Sequence, residues 1–199
     1  MMMRGGVLQE AVWHEAGAGI WIKRAVLVFV GVAALVIASK IRVPMWPVPA
    51  TLQTLGVLSI GAAYGVRLGG LTLLAYLSLG ALGLDVFAGS GAGSGLAYMA
   101  GPTGGYLAGF LAATVLMGAL ARRGWDRSVG LMALAMLLGT ALIYVFGLAW
   151  MGVLFAADQG WAWVLQVGMV NFLLADALKI AIAAMLFPAL WRSIGSARL

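Results

Sequence analysis

Cysteine is absent from this 199-residue chain, which excludes disulfides, thiolate metal sites and cysteine nucleophiles. Charge is almost as scarce: 9% of residues carry it and 64% are hydrophobic, whereas about a quarter of a soluble domain is charged. The single histidine, His14, and both glutamates, Glu10 and Glu15, lie outside every apolar run. A metalloenzyme or a glutamate-based intramembrane hydrolase therefore lacks its ligands and bases, and no catalytic or metal-ligating residue is expected. No G-x-x-x-x-G-K-[ST] sequence occurs, and the glycines from Gly89 to Gly95 do not fit G-x-G-x-x-G. Nucleotide binding has no support, so any energy source must lie on another chain.

What is present is apolar length. The mean hydropathy is +1.06, and apolar runs fall near residues 20–40, 50–66, 68–84, 103–121, 129–154 and 162–191. About 20 apolar residues cross a bilayer as a helix. The expected fold is thus an all-α integral membrane bundle of six transmembrane helices over residues 20–191, with tails at 1–19 and 192–199. The first tail is too polar for a signal-peptide core and reads as a loose cytoplasmic segment. The net charge of +6 sits at the ends of apolar runs, where it encodes orientation and not a nucleic-acid footprint. With six crossings Arg4, Lys23, Arg24, Arg67, Arg122, Arg123, Arg127, Arg192 and Arg198 share one side and only Lys40 and Arg42 the other. The positive-inside rule then places both termini in the cytoplasm. Trp13, Trp21, Trp46, Trp125, Trp161 and Trp191 lie near run ends, as interfacial anchors do.

Two outward connections share one membrane face. R-V-P-M-W-P-V-P, from Arg42 to Pro49, carries three prolines that deny helix and favour an extended segment. The glycine-rich stretch from Asp85 to Pro102 reads either as plain connection or as a mobile cover over a ligand. Gly101, Gly105 and Gly109 repeat every four residues, a small-residue stripe expected to pack inside the bundle. Ala34 and Ala38, beside Gly31, form a similar stripe facing either the bundle or a partner.

Asp176 and Lys179 stand inside the sixth apolar run, where each charge costs about 2.5–3.5 kcal/mol on insertion scales. Three residues apart, they share a helix face. They either pair with each other and brace the bundle or form the polar floor of a pocket. In a pocket, Lys179 meets a ligand carboxylate and Asp176 accepts from ligand N–H groups. Asn171 lines the mouth or bonds a neighbouring helix. Either Thr51 caps the second run and Gln53 faces water, or both offer polar groups to a solute. Trp46, Phe87, Tyr98 and Tyr106 cover an apolar ring or anchor the chain at the interface.

The segments P-V-P-A-T-L-Q-T-L-G-V-L, L-G-A-L-G-L-D-V-F-A-G, G-P-T-G-G-Y-L-A-G-F and D-A-L-K-I, in this order and spacing, resemble the BioY family, the substrate-binding subunits of energy-coupling-factor biotin importers. The match runs from about Lys23 to Leu190. It implies a six-helix subunit in a bacterial cytoplasmic membrane that takes biotin from outside under a lid formed by the two outward connections. It also implies a transmembrane coupling subunit, met through Ala34 and Ala38, and a pair of ATP-binding subunits. Biotin is then a transported ligand and no cofactor is called for. On this resemblance the valerate carboxylate meets Lys179 and the ureido N–H groups meet Asp176. Asp85 departs from the small or proline residue the family pattern leads one to expect. Thiamin and riboflavin subunits share the plan, but a cationic ligand leaves Lys179 unexplained; a purely structural membrane subunit is the remaining alternative.

Overall fold

The computed structural model describes residues 6–12, 19–89 and 95–196. The expectations attached to Arg4, Trp13, His14, Glu15 and Arg198, and to the glycines within 90–94, fall outside them. The elements run α1 (Leu8–Val12), α2 (Ile20–Lys40), β1 (Arg42–Val43), β2 (Ala50–Thr51), α3 (Gln53–Ala81), α4 (Gly95–Ala100), α5 (Gly104–Arg122), α6 (Val129–Gly168) and α7 (Leu173–Ser196), with 3-10 turns at Trp125–Arg127 and Val170–Phe172. Four stretches are long and apolar enough to cross a membrane: Ile20–Lys40, Gln53–Ala81, Gly104–Arg122 and Val129–Ile194.

Two of those stretches fold back on themselves. Gly65 (φ 77°, ψ −178°) lies in a region open almost only to glycine. A methyl built on Gly69 would sit 3.5 Å from Gly61 Cα, although residues eight apart in a straight helix are separated by about 12 Å. The side chains of Gln53 and Tyr76 likewise meet across the hairpin. Gly160 (φ 78°, ψ 157°) reverses α6 in the same way. Beyond it, Gly168 returns beside Leu148 and Met151.

Lipid offers no hydrophobic drive between helices, so close packing must hold them. Methyls on Gly105 and Gly109 would approach Phe146 O to 2.4 Å and Ile143 Cα to 3.0 Å, so this part of the glycine stripe seats α5 directly on α6. The expected helix over 162–191 is interrupted: Met169 (φ −140°, ψ −57°) and the turn at Val170–Phe172 separate residues 161–168 from α7. The first tail is not loose over its described part. Val7 is fully buried, Glu10 Oε1 pairs with Arg122 at 2.9 Å, and Arg127 donates to Gly6 O at 3.1 Å. The proline segment is an extended hairpin, β1 antiparallel to β2 with Arg42 opposite Thr51, and the Trp46–Pro47 bond is cis. The second helix consequently starts at Gln53 and not at residue 50.

Candidate functional site

Where β2 meets the first turn of α3, Thr51 Oγ1 accepts the backbone N–H of Gln53 at 3.1 Å, satisfying a donor that the helix start leaves without an intrahelical partner. The same turn directs Gln53 and Thr54 toward a cavity with an empty volume of about 630 Å³, counting the space at its mouth. Thr51, Gln53, Phe87, Tyr98, Tyr106, Asp176 and Lys179 all line it, so seven of the nine candidate ligand-binding residues converge. Asn171 and Trp46 stand apart. Asn171 is on the 3-10 turn, exposed, and accepts from Gln166 Nε2 at 2.8 Å. Trp46 packs with Trp163 and Phe155 at ring distances of 5.7 and 6.4 Å.

The polar end of the cavity is a closed set of charge-assisted contacts. Lys179 Nζ donates to Asp176 Oδ1 and to Thr54 Oγ1, each at 2.8 Å, and Tyr144 donates to Asp176 Oδ2. The side chains of Asp176 and Lys179 are only 8% and 11% exposed. Two charges so deep are tolerable because each neutralises the other and two hydroxyls take further lone pairs of the carboxylate, one of about four being left for the cavity. An ammonium has three donors and this one uses two, so the third is left for the cavity. A bound group meets a cation and an anion side by side, a donor and an acceptor less than 3 Å apart.

The rest of the wall is apolar and aromatic. Phe87 stacks on Tyr98 at 5.0 Å and meets Tyr76 edge-on at 5.5 Å. Its ring occupies a slot left by Gly80, where a methyl would lie 2.0 Å from Cζ. Tyr106 crosses Gly147 in a similar slot and donates to Gly168 O at 2.7 Å, which ties α5 to the returning limb of α6. Phe110 and Ile143 complete this side.

The segment after α3, readable as plain connection or as a mobile cover, is firmly held over its first part. Val86 O accepts from Tyr76 OH and Ser39 Oγ, both at 2.9 Å, and Lys40 Nζ reaches both Phe87 O (2.9 Å) and Asp85 Oδ1 (2.6 Å). Asp85 therefore has a structural partner that a small residue or proline lacks. Gln53 joins the same network by donating from Nε2 to Tyr76 at 2.6 Å.

Sequence reasoning missed Thr54, Tyr76 and Tyr144. A tyrosine deep inside an apolar run is no interfacial anchor, and its hydroxyl needs a partner when buried; that signal was available for both tyrosines. On α2, Ala34 is exposed, Ala38 is half-buried, and Gly31 faces Thr72 and Tyr64 of α3. Among the described residues no group of three His, Cys, Asp or Glu gathers to hold a metal ion.

Comparison with known proteins bears on the same region. The model of the BioY family matches residues 9–196. A probable biotin transporter BioY of Pyrococcus horikoshii is 37% identical over 82% of this chain and 93% of its own length. The biotin transporters BioY of Rhizobium etli and Thermotoga maritima are each 33% identical, over 78% and 77% of this chain and 84% and 87% of their own. The fold matches the crystal structure of the S-component for biotin from an ECF-type ABC transporter, with TM-score 0.74, 24% identity, and coverage of 89% of this chain and 95% of that one.

Proposed function

The chain belongs to the BioY family, and from that premise we propose that its cavity captures biotin from outside the membrane for uptake, as the substrate-binding subunit of an energy-coupling-factor importer. The observation that carries this reading is the polar end of the cavity, where an ammonium and a carboxylate lie 2.8 Å apart against an otherwise apolar and aromatic wall. Biotin has the complementary profile: a urea that accepts through its carbonyl and donates through two N–H groups, fused to an apolar thioether ring.

That geometry favours a different orientation from the expected one. Lys179 and Asp176 are too close together for one to meet the valerate end of biotin and the other the ureido end. A single urea satisfies both, its carbonyl accepting from Lys179 and an N–H donating to Asp176. The valerate chain then runs toward the mouth. There Tyr98, Thr103 and Pro49, which line the cavity, also line an outer vestibule with Arg42, and the Arg42 guanidinium receives the carboxylate.

Six crossings are assigned to α2, the two limbs of α3, α5, the first limb of α6, and residues 161–168 continued by α7. This count puts the cations of α1-side ends together and leaves Lys40 and Arg42 opposite, so the positive-inside rule places both termini in the cytoplasm and the cavity toward the exterior. Energy comes from separate ATP-binding subunits through a transmembrane coupling subunit. α2 is the least covered span, 17% of its apolar window being buried against 61% for α5, and with Ala34 exposed it offers the docking face.

Equilibrium binding of biotin and of its methyl ester to the purified chain tests the reading. Lys179→Met should weaken both ligands by roughly 2–5 kcal/mol, the range for truncating a buried charge pair, and leave their ratio unchanged. Arg42→Gln should weaken biotin alone and erase its advantage over the ester. Loss of that advantage in Lys179→Met would restore the opposite orientation, and absence of biotin binding by the folded wild-type chain would sink the substrate.

A further inference from the structure

At the other end of the molecule a groove with an empty volume of about 1540 Å³ opens between α1, α2 and the second limb of α3. Its two ends differ chemically. Arg24, Arg67 and Arg122 gather at the end near the N-terminus, with Tyr64, Trp21 and Gln9. From there the walls are purely apolar: Val28, Phe29 and Val32 on α2 and Leu68, Leu71 and Leu79 on α3. From Arg67 to Leu79 the helix rises about 18 Å, against about 15 Å for half of a bilayer's hydrocarbon core.

Two of the three guanidinium groups are already engaged. Glu10 pairs with Arg122, and Arg24 lies over the Trp21 ring at 5.5 Å. Arg67 is exposed and among the described residues makes no ion pair or hydrogen bond, and the half-buried Tyr64 hydroxyl makes none either. A guanidinium and a phenol with donors to spare thus line the same groove, and no carboxylate of the described chain other than Glu10 lines it.

We infer that this groove holds one anionic phospholipid, its phosphate at Arg67 and Tyr64 with Arg24 and Arg122 around it, and an acyl chain along Val32, Leu71 and Leu79. Guanidinium groups bind phosphate oxygens in charge-assisted pairs, and basic pockets between spans on the cytoplasmic side take acidic head groups. The length match selects a lipid over a soluble anion, because a free phosphate uses none of the apolar wall. Phe29 (75% exposed) and Leu71 (54%) open that wall to the hydrocarbon, so a chain can enter sideways from the leaflet. The inference does not depend on what the cavity at the opposite end binds.

The test is native mass spectrometry of the full chain released from detergent with phosphatidylglycerol or phosphatidylcholine. The wild-type chain should retain phosphatidylglycerol in preference, and Arg67→Gln should lose at least about tenfold of that preference. Arg67→Lys should keep part of it, Tyr64→Phe should show a smaller loss, and glycerol phosphate should not compete at equal concentration. Unchanged helix content and monodisperse elution show that the variants are folded. Equal retention of the two lipids by the wild-type chain, or an unaltered preference in Arg67→Gln, overturns the inference. So does competition by glycerol phosphate, which marks a soluble-anion site. It also fails if Arg67→Gln leaves lipid binding intact but abolishes association with the ATP-binding partners, since the groove is then a protein interface.

Discussion

Tyr144 helps aim the Asp176 carboxylate. The carboxylate takes Lys179 and Thr54 on one oxygen and the phenol on the other, so its orientation toward the cavity is fixed before any ligand arrives. A hydrogen bond to a charged group contributes about 1.5–3 kcal/mol. Tyr144→Phe should therefore weaken biotin by roughly tenfold or more in an equilibrium titration, whereas Asn171→Ala, on an exposed turn, should shift it by less than about 0.5 kcal/mol. Equal effects from the two would remove Tyr144 from the site. Asp176 and Lys179 stood out in the sequence because charge at membrane depth has few explanations. Tyr144 did not stand out by hydropathy, which one hydroxyl in a long apolar run barely alters; its signal was the depth of a phenol that needs a partner when buried.

Among the elements, the hairpin of α3 shapes the site most. Reversal at Gly65 brings Gln53 at its start beside Tyr76 near its end, and Tyr76 in turn holds Val86 and packs on Phe87. The last helical turn offers Gly80 as the slot for the Phe87 ring. Gly80→Ala places a methyl inside that ring and must expel it. The chain should still enter the membrane and keep its helix content by circular dichroism, but lose biotin binding by at least about tenfold, the effect of losing an aromatic wall worth a few kcal/mol. Undiminished affinity in a folded Gly80→Ala chain would mean that Phe87 does not cover the ligand. The break between the second and third runs was legible at Arg67, a charge that ends an apolar run. The interruption at 169–172 was not, since Gly168 and Asn171 differ too little from their apolar neighbours to mark an end. The short helices α1 and α4 carry no periodic signal at all over 5 and 6 residues.

Across the whole molecule the two ends are built differently: an aromatic-walled cavity at one, and at the other a base knitted from α1, the turn at Trp125–Arg127 and α7. Asp126 sits in that base, 1% exposed, accepting Trp191 Nε1 at 2.6 Å, while the Arg127 guanidinium lies 4.3 Å from the Trp191 ring centroid. Burial pushes the Asp126 carboxyl above its usual 3.8, the Trp191 bond and the Arg127 charge opposing only in part. The folded chain therefore holds this proton more tightly than the unfolded one. The stability that the raised value contributes is complete below the unfolded value and is lost as pH rises through the folded one. Asp126→Asn keeps an acceptor for Trp191 and carries no charge at any pH. Its thermal midpoint in detergent should match that of the wild-type chain near pH 4 and rise above it toward about pH 7. The difference isolates Asp126 from Glu10 and Asp85, whose ion pairs are common to both chains. A variant that instead falls further below the wild type as pH rises from about 4 would show that the Asp126 carboxylate is held as an ion by Arg127, and that charge pairing outweighs burial at the base of the bundle.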